Sequence, residues 1–134
     1  MSDKEWFNEG VELIKVGRYE EAFKAFDKAI EINPQDAIAW FYKGLALIKL
    51  ERHEDAIEAF DKAIEINPQY PEPWVNKGVT LSNLGRHEDA LKAYEKAIKI
   101  NPQYVWPWFY KGIELGKVGK HEHALKAFEK AIEI

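Results

Sequence analysis

Residues Ala25–Gln35 return letter for letter at Ala59–Gln69, displaced by 34 positions. A close variant follows at Ala93–Gln103, changed only at Tyr94, Glu95 and Lys99, and a fourth copy opens at Ala127 and runs to Ile134. A period of this length restricts the chain to a repeat architecture, in which each unit covers its apolar face with its neighbours.

Each period divides into two helical patterns, A and B. In A, Trp6-Gly10-Leu13 recurs as Trp40-Gly44-Leu47, Trp74-Gly78-Leu81 and Trp108-Gly112-Leu115. The i, i+4, i+7 spacing puts the three residues on one helical face. A helix-interior Gly costs roughly 1 kcal/mol against Ala, so its recurrence implies a close approach by helix B. Gly17, Gly85 and Gly119 then mark C-terminal turns with positive φ, with Glu51 as the exception. The basic residue that follows each is expected to meet the free carbonyls of helix A.

Helix B opens with acidic residues and carries a small-large-small stripe, Ala22-Phe26-Ala29 and its three counterparts. On its outer face Glu20-Lys24, Glu88-Lys92 and Glu122-Lys126 are spaced for i, i+4 ion pairs. Asn33-Pro34, Asn67-Pro68 and Asn101-Pro102 are expected to stop it, with Asn in the left-handed conformation and Pro unable to continue. Pro71, Pro73 and Pro107 suit first turns, where a missing N–H costs little.

Trp at the fourth place of a 34-residue unit, Gly at the eighth, Ala at the twentieth and twenty-seventh, an aromatic at the twenty-fourth and Pro at the thirty-second together resemble the tetratricopeptide repeat family. The resemblance covers Asp3–Ile134 as one domain, 1–134, with repeats 3–36, 37–70, 71–104 and 105–134. It implies an all-α, right-handed superhelical solenoid of four antiparallel helix-turn-helix repeats, whose concave surface is lined by A helices and holds a peptide or partner helix. It supplies no catalytic residues, and a non-enzymatic scaffold is expected. Two departures stand out. The seventh place, apolar in the family, holds Glu9, Lys43, Lys77 and Lys111, and no C-terminal capping helix follows Ile134.

Helix A also carries a second apolar stripe, Phe7-Val11-Ile14, Phe41-Leu45-Ile48, Val75-Val79 and Phe109-Ile113. Two adjacent stripes make an arc wider than one partner helix requires. By resemblance the stripe faces the groove, flanked by Asn8, Tyr42, Asn76 and Tyr110. Val11, Leu45, Val75, Val79 and Ile113 suit packing between A helices or ligand contact. Phe7, Phe41, Phe109, Tyr42 and Tyr110 are expected to form a partly exposed ligand floor. Lys15, Lys49 and Lys117 would either satisfy helix-end carbonyls or form a basic rim for an acidic peptide with apolar anchors. The family's carboxylate clamp, with Lys at the fifth place and Asn at the ninth of the first unit, is replaced by Phe7 and Val11.

The alternative expectation is self-association through Leu125, Phe128, Ile132 and Ile134 at the C-terminal end, or a chain excised from a longer repeat protein. Head-to-tail contacts would build stacks, and a two-fold contact a homo-oligomer.

Composition narrows the remaining classes. The net charge of −4 and the absence of a basic face point away from nucleic acid. There is no Cys, no cationic apolar leader and no apolar run near the ~20 residues that span a bilayer, so a cytoplasmic protein without membrane attachment is expected. His53, His87 and His121 recur at one place of the second, third and fourth repeats, where the first has Tyr19. About 10 Å apart in a stack, they cannot share a metal at about 2.0–2.1 Å. A packing role is expected for them, with no cofactor and no metal.

Overall fold

The computed structural model describes Met1–Ile134 throughout. It is all-α, with eight helices: α1 (Asp3–Lys15), α2 (Tyr19–Ile32), α3 (Ala37–Lys49), α4 (His53–Ile66), α5 (Pro71–Asn83), α6 (His87–Ile100), α7 (Val105–Lys117) and α8 (His121–Glu133). They lie in two compact units, Met1–Pro68 with α1–α4 and Gln69–Ile134 with α5–α8. Within each unit the helices pack as A–B pairs, and each A helix begins at the first residue of its expected repeat.

The glycine of helix A lies under the aromatic ring of helix B. A Cβ on Gly10 would stand 2.5 Å from Phe26 Cε1, and one on Gly112 2.6 Å from Phe128 Cε1. Gly44 beneath Phe60 and Gly78 beneath Tyr94 repeat the arrangement. The space is therefore needed by a ring rather than by a neighbouring backbone. Phe26, Phe60 and Tyr94 are fully buried by this arrangement, flanked by Ala22, Ala29, Ala56, Ala63, Ala90 and Ala97. Truncating such a ring typically costs about 3–5 kcal/mol.

The A-to-B turn satisfies two orphan carbonyls with two consecutive N–H groups. Gly17 N–H donates to Ile14 O at 3.0 Å and Arg18 N–H to Leu13 O at 2.9 Å. This is the reverse-turn cap that requires positive φ at its first residue, found at Gly17 (81°), Gly85 (79°) and Gly119 (82°). Glu51 adopts it too, at φ 59°. Two of the basic side chains that follow, Arg18 and Arg52, are engaged elsewhere than at the carbonyls expected. Arg18 pairs with Glu21 at 2.7 Å and Arg52 with Asp55 at 2.9 Å, one helical turn into B, because the backbone N–H already serves the carbonyl.

The B-to-A turn also departs from expectation. Asn33, Asn67 and Asn101 are not left-handed, with φ of −133°, −135° and −143°. Asn is used instead for its side chain: Asn33 Oδ1 accepts from Gln35 N at 3.3 Å and Asn101 Oδ1 from Gln103 N at 3.1 Å, closing an Asx turn around the Pro. Trp at the fourth place fastens to the same turn. Trp40 Nε1 donates to Pro34 O at 3.0 Å and Trp108 Nε1 to Pro102 O at 2.9 Å.

The polar seventh place is explained by that Trp. Lys43, Lys77 and Lys111 each set their ammonium over the ring of Trp40, Trp74 or Trp108, at 5.1, 5.6 and 5.5 Å from the centroid. The stem covers apolar surface while the charge stays wet, and Lys43 reaches Asp27 on α2 at 2.7 Å. On the outer face of B, Lys28–Glu31, Lys62–Glu65 and Lys130–Glu133 form i, i+3 pairs at 3.8–4.0 Å, whereas the expected Glu20–Lys24, Glu88–Lys92 and Glu122–Lys126 pairs are not closed. All of these are exposed and contribute little.

Candidate functional site

The second stripe of helix A divides between core and surface. In the first unit Phe7 is half-buried, 5.7 Å from Phe26 and edge-on to Tyr42 at 5.1 Å. Val11 packs into the same cluster against Phe26, Ala22 and Ala46. Phe41 is only 7% exposed, set against Phe60 at 5.8 Å and Tyr42 at 5.6 Å, so it belongs to the core and not to a partly exposed floor. Leu45 is half-buried, and Asn8, Lys15 and Lys49 are exposed. Lys15 pairs with Glu12 at 3.2 Å. Phe7 and Asn8 border a recess of about 300 Å³ with Lys4, Asp36 and Ile38.

In the second unit Val75 is buried and Val79 and Ile113 are half-buried, which gives Val75 the packing role. Asn76 Nδ2 donates to Glu72 O at 3.1 Å, so its amide is partly used within α5. Tyr110 stacks on Tyr94 with centroids 5.9 Å apart. Phe109 is 38% exposed, Trp106 stands edge-on to it at 6.0 Å, and Trp106 is 50% exposed. Lys117 does not project as a free rim charge: its Nζ donates to Ser82 Oγ at 3.1 Å, linking α7 to α5.

Two residues that the sequence reading missed complete these surfaces. Ile38 and Trp106 occupy the same repeat place and are each 50% exposed. Both lie in the first turn of an A helix, outside the two stripes. A large apolar residue recurring there 68 positions apart was the available signal.

The His residues also differentiate. His87 Nδ1 is hydrogen-bonded to the carboxylate of Glu114, which is buried. The tenth place holds Glu12, Ala46, Thr80 and Glu114, and of its two acids Glu12 is exposed and Glu114 buried, so the place alone does not mark the pair. Burial, helped by the Glu114 charge, pushes the Tyr94 hydroxyl well above the usual tyrosine range. Burial likewise raises the Glu72 carboxyl, and Tyr104 is raised by burial and by the nearby Glu72 charge. On α8, Leu125 is 59% and Ile132 83% exposed, Ile134 is exposed, and Phe128 is half-buried against Phe109 at 6.0 Å. No helix is long and apolar enough to cross a membrane.

The A helices thus present aromatic and apolar side chains at the surface, Ile38 in the first unit and Trp106 and Phe109 in the second. Comparison with solved structures agrees with the repeat geometry. A crystal structure of MamA superposes with a TM-score of 0.91 at 26% identity, covering 98% of this chain and 77% of that one. MamA residues 41-end from Desulfovibrio magneticus RS-1 superpose at 0.88 with 21% identity, covering 98% and 75%. No curated protein matches the sequence significantly. Tetratricopeptide repeat profiles match residues 7–71, 71–104 and 108–134. The chain, with its four Gly-under-ring helix pairs, belongs to the tetratricopeptide repeat family.

Proposed function

We propose that the protein is a non-enzymatic interaction scaffold that holds an extended or helical protein segment against the exposed faces of its A helices. The observation that carries this reading is the aromatic cluster on α7, where Trp106 and Phe109 remain 50% and 38% exposed although rings of this size normally find cover. Aromatic side chains of this kind are enriched among the residues that dominate binding energy. In the first unit the recess beside Phe7, Asn8 and Ile38 is the corresponding contact point. Apolar burial supplies the affinity, while Lys15 and Lys49 at the helix ends orient a carboxylate of the ligand.

Affinity capture with the wild-type chain and with Trp106→Ala plus Phe109→Ala tests the reading. Specific partners should disappear from the double variant while its helical circular dichroism persists. Capture of the same partners by both chains would overturn the assignment.

A second reading, self-association, rests on Leu125 and Ile132, exposed on α8 where Ile30, the counterpart of Ile98 and Ile132, is buried against Ala39. Sedimentation velocity across a hundredfold concentration range should then show a larger species that Leu125→Lys plus Ile132→Lys removes. A single monomeric boundary throughout would exclude it.

A further inference from the structure

We propose that the hollow between α6, α7 and α8 is a second binding site, for a peptide segment that carries an acidic side chain next to an apolar one. It has a volume of about 560 Å³, within the range of about 300–1,000 Å³ that small ligands and anchoring side chains occupy. Trp108, Lys111 and Leu115 form its α7 wall. At 3.6 residues per turn these three lie about 180° around the helix from Trp106, Phe109 and Ile113, so the hollow is a different surface from the one proposed above.

The repeat supplies an internal control. The equivalent hollow in the first unit, 68 positions earlier, measures about 180 Å³. It is closed by a lid: the Arg52 guanidinium lies 5.2 Å over the Phe23 ring, and Arg52 Nε donates to Asp55 at 3.0 Å. In the second unit each part of that lid is replaced. Leu91 stands for Phe23, Lys120 for Arg52 and His123 for Asp55. A fourth change, Lys126 for Glu58, turns an acidic wall basic. The floor of Leu91, Leu115 and Ala127 is thus left open beneath Lys111, Lys120 and Lys126.

Charge and shape together select the occupant. The ion pairing on α8 is confined to Lys130 with Glu133 at 3.8 Å, which leaves Lys120 and Lys126 available to a carboxylate. The lining also contains Glu95 and Glu129, which repel a polyanion or a continuous anionic surface but tolerate one or two acids placed beside the lysines. The apolar floor then receives the neighbouring side chain. A flexible Lys contributes a point charge without the fixed fork of Arg, so the site reads charge and apolar volume rather than a planar bidentate group.

The test uses the full chain and a fluorescein-labelled heptapeptide with Glu-Leu-Glu at its centre and Gly and Ser elsewhere, followed by anisotropy and by 15N NMR. Binding should shift the Trp108 indole N–H and the amides of residues 120–130. Lys120→Glu plus Lys126→Glu should weaken it by about tenfold or more. Rebuilding the lid with Leu91→Phe, Lys120→Arg and His123→Asp should weaken it similarly, since the cavity closes. Trp106→Ala plus Phe109→Ala should leave it unchanged, which separates this site from the A-helix surface of the proposed function.

The proposal is overturned if the Trp108 signal does not move at millimolar peptide, or if a Lys-Leu-Lys peptide binds as well. It also fails if inorganic phosphate alone produces the same shifts at the same concentration, which would mean simple anion attraction. Binding to phosphatidylserine vesicles without binding to the peptide would assign the surface to lipid instead.

Discussion

His87 on α6 holds the carboxylate of Glu114 on α7, and the two differ sharply in exposure: the imidazole is 37% exposed and the carboxylate 2%. The pair therefore has one member that water can serve and one that it cannot. Removing His87 strands a buried carboxylate, whereas removing Glu114 leaves an imidazole that can turn to solvent.

The two truncations should accordingly be unequal. His87→Ala is expected to cost about 2–3 kcal/mol, and Glu114→Ala, which copies Ala46 at the same repeat place, about 1 kcal/mol. The double variant should be more stable than His87→Ala alone. Urea unfolding monitored by circular dichroism gives all three values. Equal costs for the single variants would show that the carboxylate is not dependent on the imidazole.

The ring-over-glycine contact predicts opposite signs for one substitution at two sites. Gly44 has the Phe60 ring directly above it, while a Cβ on Gly116 meets nothing within 4 Å. Gly44→Ala gains about 1 kcal/mol of helix propensity and loses more to overpacking, for a net loss of about 1–2 kcal/mol. Gly116→Ala keeps the propensity gain and should stabilise by about 0.5–1 kcal/mol. Thermal midpoints moving in the same direction would contradict the packing account. Phe60→Leu in the Gly44→Ala background should recover part of the loss.

The legibility of the sequence follows the same division. Helix limits were readable because Gly17, Pro34 and the acidic first turns each obey a local rule, and the period of 34 carries every such rule to the next unit. The reason Gly44 is Gly was only half readable: the pattern requires space but does not say that Phe60 takes it. Exposure was the least legible property. Phe41 and Phe109 occupy one repeat place, yet Phe41 is at 7% and Phe109 at 38%, because cover depends on neighbouring helices and not on the residue's own spacing. For Lys117 the sequence offers a carbonyl cap or a rim charge, and neither includes Ser82, 35 positions away, because nothing local ties the two together.

Glu51 is the one non-glycine residue with positive φ, at 59°, in a turn whose other three copies use Gly. The left-handed conformation costs a residue with a Cβ roughly 1–2 kcal/mol, partly offset by the greater freedom of an unfolded Gly. Glu51→Gly should therefore stabilise the first unit by about 0.5–1 kcal/mol. Gly17→Ala, the reverse change at an equivalent turn with open space around it, should destabilise by a similar amount. A neutral result for both in urea titration would mean that the turn carries no strain.

Tyr94 sets the alkaline limit of the second unit. Its hydroxyl titrates above the ordinary value of 10.0, raised by burial first and by the Glu114 charge second. Below pH 10 the folded and unfolded chains both keep the proton, and the contribution to stability is complete. As pH rises beyond that, the unfolded chain releases the proton while the fold retains it, so stability falls with a slope of up to about 1.4 kcal/mol per pH unit. Phe occupies this place in the other three repeats, at Phe26, Phe60 and Phe128, so Tyr94→Phe fits the site. The variant should behave like the parent near pH 7 and lose stability less steeply between pH 10 and 11.5, read from urea midpoints at fixed ionic strength. Parallel curves for the two proteins across that interval would show that Tyr94 ionises as freely in the fold as outside it.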